Sequence, residues 1–283
     1  DFRPEIVGIT VTTLSSPKAL DIAKRIKERF PEIMIVVGGP HISEYTKAFF
    51  LEGNFDVAVL GEGEWTLLEL TKAILNKTSL DKIDGIMFKE KSFGKLIVTK
   101  TRNYEKNLDN IPFPTRELLP PLHLYRPSAL YHKRIPVTQM FTSRGCPAQC
   151  IFCETPFGKT VRYHSPGYVV EEMEMLKRDY GIREIMINDD TFVIDKKRTY
   201  EICSLIRKKN LDIIWSCNVR VNMVDYDILN DMRRSGCWLI MPGVESGSQK
   251  ILNILQKGIT VDQVKKACAW AHSLGLQVKP SFI

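Results

Sequence analysis

Two kinds of apolar spacing alternate along the chain. Residues 5–11, EIVGITV, form a short β-branched run that reads as a buried strand. From Pro17 onward, Ala19, Ile22, Ala23, Ile26 and Phe30 recur at helical spacing. Ser16 suits the N-cap, Pro17 the first helical position, and Pro31 stops the helix. The alternation continues with a strand over 33–39, a helix capped by Ser43 that ends near Gly53, a strand over 55–61 and a helix over 64–75. Strands separated by helices in this way predict a parallel sheet covered on both faces. Residues 85–100 predict a hairpin with Gly94 in its turn. The next stretch, 107–127, carries five prolines, which excludes continuous helix or sheet and predicts an extended connector.

The pattern resumes beyond the connector. Strands are expected at 136–142, 183–189, 211–218, within 237–248 and at 276–283. Helices over 168–180, 196–209, 226–235 and 261–274 separate most of them. A βα repeat of this kind closes into a barrel whose chemistry lies at the carboxyl ends of the strands.

Composition narrows the class. The chain has 283 residues, with 44% hydrophobic and 26% charged, which excludes a disordered tail, a collagen-like fibre and a small disulfide scaffold. No apolar run approaches the roughly 18–20 residues of a membrane span. The net charge is +7, but Lys and Arg are scattered, as solvated faces are. That charge is the only support for a nucleic-acid-binding protein. There is no initiator Met, and VKPSFI at the end reads as a strand with nothing after it, so a fragment cut at both ends is expected.

Seven cysteines is an odd number, and Cys203, Cys217, Cys237 and Cys268 stand apart. This argues against a secreted disulfide framework and for a reducing cytoplasm. Cys146, Cys150 and Cys153 lie within eight residues, in a loop that follows a strand. Three thiolates fit three corners of a 4Fe–4S cluster and leave one iron open, as a reactive site requires. Structural zinc would need a fourth ligand, for which His164 is the candidate. Cys150 and Cys153 alone would make a thiol redox pair. Phe152, between the last two cysteines, is placed to shield a cluster or to pack within the loop.

The first segment concentrates its polar and glycine residues at strand ends: Thr10, then Gly38 and Gly39 in GGPH, then Gly61 and Glu62 in GEGE. In open α/β sheets ligands bind there, and glycine lets a bulky ligand approach the backbone. Taken alone, the glycines are equally turn residues, and His41 an ordinary surface histidine.

The pattern Cys-x-x-x-Cys-x-aromatic-Cys after a strand resembles the signature of the radical S-adenosylmethionine superfamily. GGPH and GEGE in residues 5–75, GVES at 243–246 and the segment 189–192 are similar to its cobalamin-linked branch. The resemblance implies a partial flavodoxin-like (Rossmann-like) cobalamin-binding domain at 1–78. A hairpin and proline-rich linker follows at 79–134, and a partial (β/α)6 TIM-like radical domain at 135–283. The Asp-x-His-x-x-Gly segment that supplies a lower cobalt ligand in some relatives does not occur here, and His41 does not match it.

The implied cofactors are a 4Fe–4S cluster on Cys146, Cys150 and Cys153, S-adenosylmethionine, and cobalamin near Thr10, Gly38, Gly39, Gly61 and Glu62. For S-adenosylmethionine, Glu245 is expected at the ribose or amino group and Arg220 at the carboxylate, which a guanidinium matches in a two-pronged way. Ser216 is a further candidate. Asp189 and Asp190 either approach the methionine amino group or cap the next helix. The implied activity is reductive cleavage to a 5′-deoxyadenosyl radical, and from it methylation of an unactivated carbon. The alternative is a cyclase or oxidoreductase whose cobalamin domain is vestigial or non-methylating. The expected partners are a small-molecule or biosynthetic-intermediate substrate and an electron donor such as flavodoxin or ferredoxin. No catalytic side chain beyond these is identified.

Overall fold

In the first unit, Asp1–Glu105, the β-branched runs become the middle of a sheet. The computed structural model describes residues 3–44, 46–90 and 94–283. In chain order the unit contains β1 (Ile6–Thr10), α1 (Ser16–Arg29), β2 (Met34–Gly38), α2 (Pro40–Glu44), α3 (Thr46–Glu52), β3 (Val57–Val59), α4 (Glu64–Leu75), β4 (Ile86–Lys89) and β5 (Leu96–Val98). Strands β1, β2 and β3 pair in parallel, with Ile6 opposite Met34 and Val36 opposite Val57. β4 and β5 add antiparallel to the β3 edge.

Period-two alternation sorts the side chains onto two faces. Ile35, Val37, Ala58 and Met87 meet Ala19 and Ala23 of α1 and Phe49 and Phe50 of α3. Val36, Val57, Val59, Ile86 and Phe88 meet Leu70 and Ala73 of α4. Each large side chain buried this way contributes about 1.5–3 kcal/mol. Both faces are covered, so the strands read as nearly unbroken apolar runs.

Three local readings change. Helix α1 starts one residue early, so Ser16 is inside it, and the capping box lies before it, between Thr12 and Ser15. Ser43 does not cap a helix: it sits within α2, accepts the Gly61 N–H at 3.1 Å and donates to the Gly39 carbonyl. The hairpin is not part of a linker. β4 satisfies the open hydrogen-bonding edge of β3, and β5 pairs with β4, which extends this sheet. Gly94 has φ +63, as its turn requires, while residues 91–93 lie outside the described residues.

The second unit, Lys106–Ile283, begins with the proline-rich stretch, which runs as short 3-10 turns. This stretch is pinned to the unit. Arg116 pairs with Glu172 at 2.8 Å with both side chains buried, and the Tyr168 hydroxyl donates to the Ile111 carbonyl. The unit continues with β6 (Val137–Met140), β7 (Ser143–Arg144), β8 (Arg162–Tyr163), α5 (Pro166–Tyr180), β9 (Glu184–Ile187), α6 (Lys196–Lys208), β10 (Ile214–Val219), α7 (Tyr226–Arg234), β11 (Cys237–Glu245), α8 (Gln249–Ile254), α9 (Val261–Ser273), β12 (Gln277–Val278) and β13 (Ser281–Phe282).

Strands β6, β9, β10, β11 and β12 stand side by side in sequence order, all parallel. This is the arrangement of a partial barrel. The helices start where their caps dictate: Ser165, Asp195, Asp225 and Thr260 each accept a backbone N–H of the first turn. Residues 276–283 form two strands rather than one. Both pair with β11, and the break falls at Lys279 and Pro280, where proline has no N–H to offer the ladder. Helix α8 was too short for periodicity to announce. Among the described residues, no helix is long and apolar enough to cross a membrane.

Candidate active site

The cysteine loop is held at its neck before any thiol is considered. β7 and β8 form a two-stranded ladder, with Ser143 opposite Tyr163 and Arg144 opposite Arg162. Asp189, fully buried just past β9, accepts the Thr142 N–H and hydroxyl at 2.5 Å each and the Ser143 hydroxyl at 2.7 Å. Burial pushes the Asp189 carboxyl up, against these hydrogen bonds. Arg198, also buried, donates to the Thr142 carbonyl at 2.7 Å and the His164 carbonyl at 2.9 Å. Gly145 has φ +95, and a Cβ there would lie 2.5 Å from the Thr160 carbonyl oxygen, so only glycine fits this crossing. The Gly145 N–H reaches Asp190, whose carboxyl is pushed up by burial and then by Asp189.

From this neck the loop runs along a cavity of about 480 Å³. Cys146, Cys150 and Cys153 line it together with Phe152, Asp190, Arg220 and Glu245, at the carboxyl ends of β10 and β11. Cys150 is buried and Cys153 exposed. Burial first, then the Cys150 and Cys146 sulfurs, raise the Cys153 thiol above its ordinary value. Arg220 is 8% exposed. Its Nη1 donates to the Cys150 sulfur at 3.6 Å, its Nη2 to the Lys257 carbonyl, and its Nε finds no partner among the described residues.

Glu245 ends β11 in a left-handed conformation, φ +65, which costs a non-glycine residue about 1–3 kcal/mol. Its carboxylate accepts from Lys257 Nζ at 2.6 Å, and both side chains are 8% exposed. The same ammonium lies 5.7 Å from the Phe152 ring centre. A Cβ on Gly243 would approach Glu245 Oε1 and Lys257 Nζ to 2.7 Å each, so glycine leaves room for the pair. The Ile151 N–H donates to the Leu255 carbonyl, which docks the cysteine loop on the turn that carries Lys257.

Ser216 does not line this cavity. It shares one face of β10 with Asn218, which does, and its buried hydroxyl has no partner among the described residues. Asp189 neither caps a helix nor lines the cavity: Asp195 caps α6, and Asp189 ties down the loop. His164 is no fourth metal ligand. Its Nδ1 lies 3.2 Å from Asp109 Oδ1, and its ring stacks on Tyr168 with centres 4.0 Å apart. Burial pulls its pKa down, against Asp109.

Lys257 is the residue that sequence reasoning missed. Its signal was slight: a lysine before a glycine, between two helical stretches. Tyr131 and Lys279, also in the lining, gave none.

The three thiols along one cavity fit the cysteine donor set of an iron–sulfur cluster. Among the described residues, no three His, Cys, Asp or Glu side chains gather around a single point. Thiolates that each grip a different iron need no such gathering.

In the first unit the predicted residues collect at the carboxyl ends of β1, β2 and β3. The Val11 N–H donates to the Gly38 carbonyl at 2.8 Å, and the His41 N–H to the Val11 carbonyl. Gly39, φ +101, would place a Cβ 2.8 Å from the Val11 carbonyl oxygen, so its glycine is demanded by the chain itself. Gly61, φ +74, faces open space, and a Cβ on Gly38 would make ordinary contact with Val59, 3.7 Å from its carbonyl oxygen. Thr10 is exposed and Glu62 half-buried. His41 sits 3.2 Å from the Thr13 hydroxyl and edge-on to Phe49.

Fold and loop together define a class, and comparison with known proteins agrees. The chain belongs to the radical SAM superfamily, whose profile matches residues 140–283, and a B12 binding domain matches residues 1–71. These domains imply a 4Fe–4S cluster, S-adenosylmethionine and cobalamin as cofactors.

The chain is 38% identical, over 285 residues, to an uncharacterized methyltransferase of Pyrococcus horikoshii, covering 100% of this chain and 60% of that protein. It is 28% identical, over 289 residues, to the anaerobic magnesium-protoporphyrin IX monomethyl ester cyclase of Rubrivivax gelatinosus, covering 100% and 51%. The cobalamin-dependent S-adenosylmethionine radical enzyme OxsB, solved with aqua-cobalamin bound, shares the fold. Its TM-score is 0.81 at 21% identity, over 99% of this chain and 41% of that one. The chain thus spans 60% and 51% of the two curated relatives.

Proposed function

We propose that the protein is a cobalamin-dependent radical S-adenosylmethionine methyltransferase acting on an unactivated carbon of a small molecule or biosynthetic intermediate. The observation that supports this best is the lining of one cavity by three thiols of one loop together with Arg220 and Glu245. A cluster bound there would supply the electron that cleaves S-adenosylmethionine to a carbon radical, and bound cobalamin would supply the methyl group.

The chain's own residues then have separate tasks. Cys146, Cys150 and Cys153 hold the cluster. Asp189 and Arg198 hold the loop that carries them. Glu245 takes the ribose or amino group of S-adenosylmethionine, and Lys257 keeps its carboxylate in place. Arg220 keeps one unpartnered nitrogen, Nε, for the methionyl carboxylate. Phe152 shields one side of the cavity, Asp190 borders it, and Ser216 supports the strand beneath. In the first unit Gly38, Gly61, Thr10 and Glu62 contact cobalamin, while Gly39 lets the chain turn against Val11. A reducing cytoplasm and a small carrier such as flavodoxin or ferredoxin belong to this reading.

The test is the anaerobically purified full-length protein. It should show iron–sulfide and cobalamin absorbance, and a methyl label from S-adenosylmethionine should appear in product. Retention of the cluster with no cobalamin bound would defeat methyl transfer. The likeness to the magnesium-protoporphyrin cyclase supports a second reading, ring formation or oxidation, in which product carries no label.

A further inference from the structure

Arg220 lines the cavity and at the same time bears on the cluster loop. Its Nη1 lies 3.6 Å from the Cys150 sulfur, and both residues are 8% exposed. Its Nη2 is fixed on the Lys257 carbonyl, so the guanidinium cannot swing away without losing a second bond. Gly258 passes the same guanidinium, where a Cβ would lie 3.8 Å from Nη2, in ordinary contact. The guanidinium brings a positive charge to that sulfur.

From this geometry we infer that Arg220 sets the reduction potential of the cluster, through a charge-assisted hydrogen bond to the Cys150 thiolate. The inference rests on Cys150 as a cluster ligand. Hydrogen bonds to ligand sulfurs, net charge and solvent exposure are what place such potentials. Reduction adds one negative charge, and a buried cation beside a ligand sulfur favours the reduced state over the oxidised one. Arg220 therefore raises the potential and eases electron entry from a carrier protein. With Nη1 on Cys150 and Nη2 on Lys257, Nε is the one nitrogen of Arg220 without a partner among the described residues. In this role Arg220 acts through Cys150 as a tuning residue, apart from the contact with the methionyl carboxylate proposed above.

The experiment is an EPR-monitored dithionite titration of the cluster-loaded full chain without S-adenosylmethionine. Wild type is compared with Arg220→Gln and Arg220→Lys. Arg220→Gln should disfavour reduction about tenfold, a downward shift of ~59 mV for a one-electron couple. Arg220→Lys, which keeps the charge but not the fork, should fall between the two.

An unchanged midpoint in Arg220→Gln overturns the inference, and so does a lysine variant as low as the glutamine one. If Arg220→Gln loads no iron, pulsed EPR on wild type with 15N-labelled arginine decides. Coupling of an arginine nitrogen to the reduced cluster supports the bond, and its absence overturns it. Wild type that loads no cluster at all would defeat the assignment of Cys150 instead.

Discussion

Both units carry their candidate residues at the carboxyl ends of parallel strands, but in the second these line a cavity, and the two sets are furnished differently. In Asp1–Glu105 the strand ends offer main chain: glycines, carbonyls tied to neighbouring amides, and a few hydroxyls. In Lys106–Ile283 they offer side chains: three thiols, of which Cys150 is buried, a buried arginine on that sulfur, and a buried lysine–glutamate pair. A surface of main chain and glycine suits a large ligand that brings its own chemistry. Buried charges suit a small ligand whose reaction must be steered, because electrostatic interactions strengthen away from water. The difference teaches which unit tolerates substitution. Side chains can be exchanged at open strand ends such as Gly61 at modest cost, whereas in the second unit loss of Lys257 or Arg220 would strand a buried partner, Glu245 or Cys150.

The largest expected effect tests the cavity of the second unit. Alanine at Cys146, Cys150 or Cys153 should take 5′-deoxyadenosine formation to the uncatalysed background and lower bound iron, while cobalamin retention by the first unit stays. Retention of near-parental cleavage in any of the three would end the assignment of the loop.

Lys257→Met comes next. It leaves the Glu245 carboxylate buried without its partner, and stranding one member of a buried pair costs about 3–5 kcal/mol. Denaturant unfolding of the apo protein should register this, and adding Glu245→Gln should restore much of it. A lone Lys257→Met variant as stable as wild type would mean that water already reaches the pair.

The strand ends of the first unit predict smaller numbers and a contrast within them. Gly39→Ala meets the Val11 backbone and a left-handed φ, so it should destabilise the unit by about 1–3 kcal/mol. Gly61→Val meets open space and should cost about 1–2 kcal/mol, yet block cobalamin if the ligand approaches there. Equal cobalamin retention in Gly61→Val and wild type would move the ligand elsewhere.

The smallest effect is a pH dependence. Burial depresses the His164 pKa below the ordinary 6.5, with Asp109 opposing and Arg144 and Arg198 assisting. The folded unit therefore holds the neutral ring. The stability this contributes is present above about pH 6.5 and is lost as pH falls through the depressed value. Melting temperature should fall on acidification from neutral, and fall less in His164→Asn.

The fold is legible in the sequence where burial is two-sided and continuous. Runs such as Ile35, Val36 and Val37 can only be a strand between helical layers, and Glu64–Leu75 carries its own periodicity. The cysteine spacing is legible because three thiols within eight residues have few other uses. What escapes is whatever depends on distant pairing. Asp189 reaches Thr142 across 47 positions, and nothing near either residue announces it. Lys257 meets Glu245 only because Gly243 clears the space between strand and turn. Gly39 reads in sequence like Gly61, yet one is closed by Val11 and the other open.

The neck of the cysteine loop has a consequence for maturation. Its fastenings, Asp189 on Thr142 and Ser143, Arg198 across Thr142 and His164, and the β7–β8 ladder, involve none of the three sulfurs. The socket is therefore shaped before iron arrives, unlike a zinc finger, which needs its metal to fold. Whatever machinery delivers the inorganic core meets a finished receptacle, and stripping the iron should empty the protein without unravelling it.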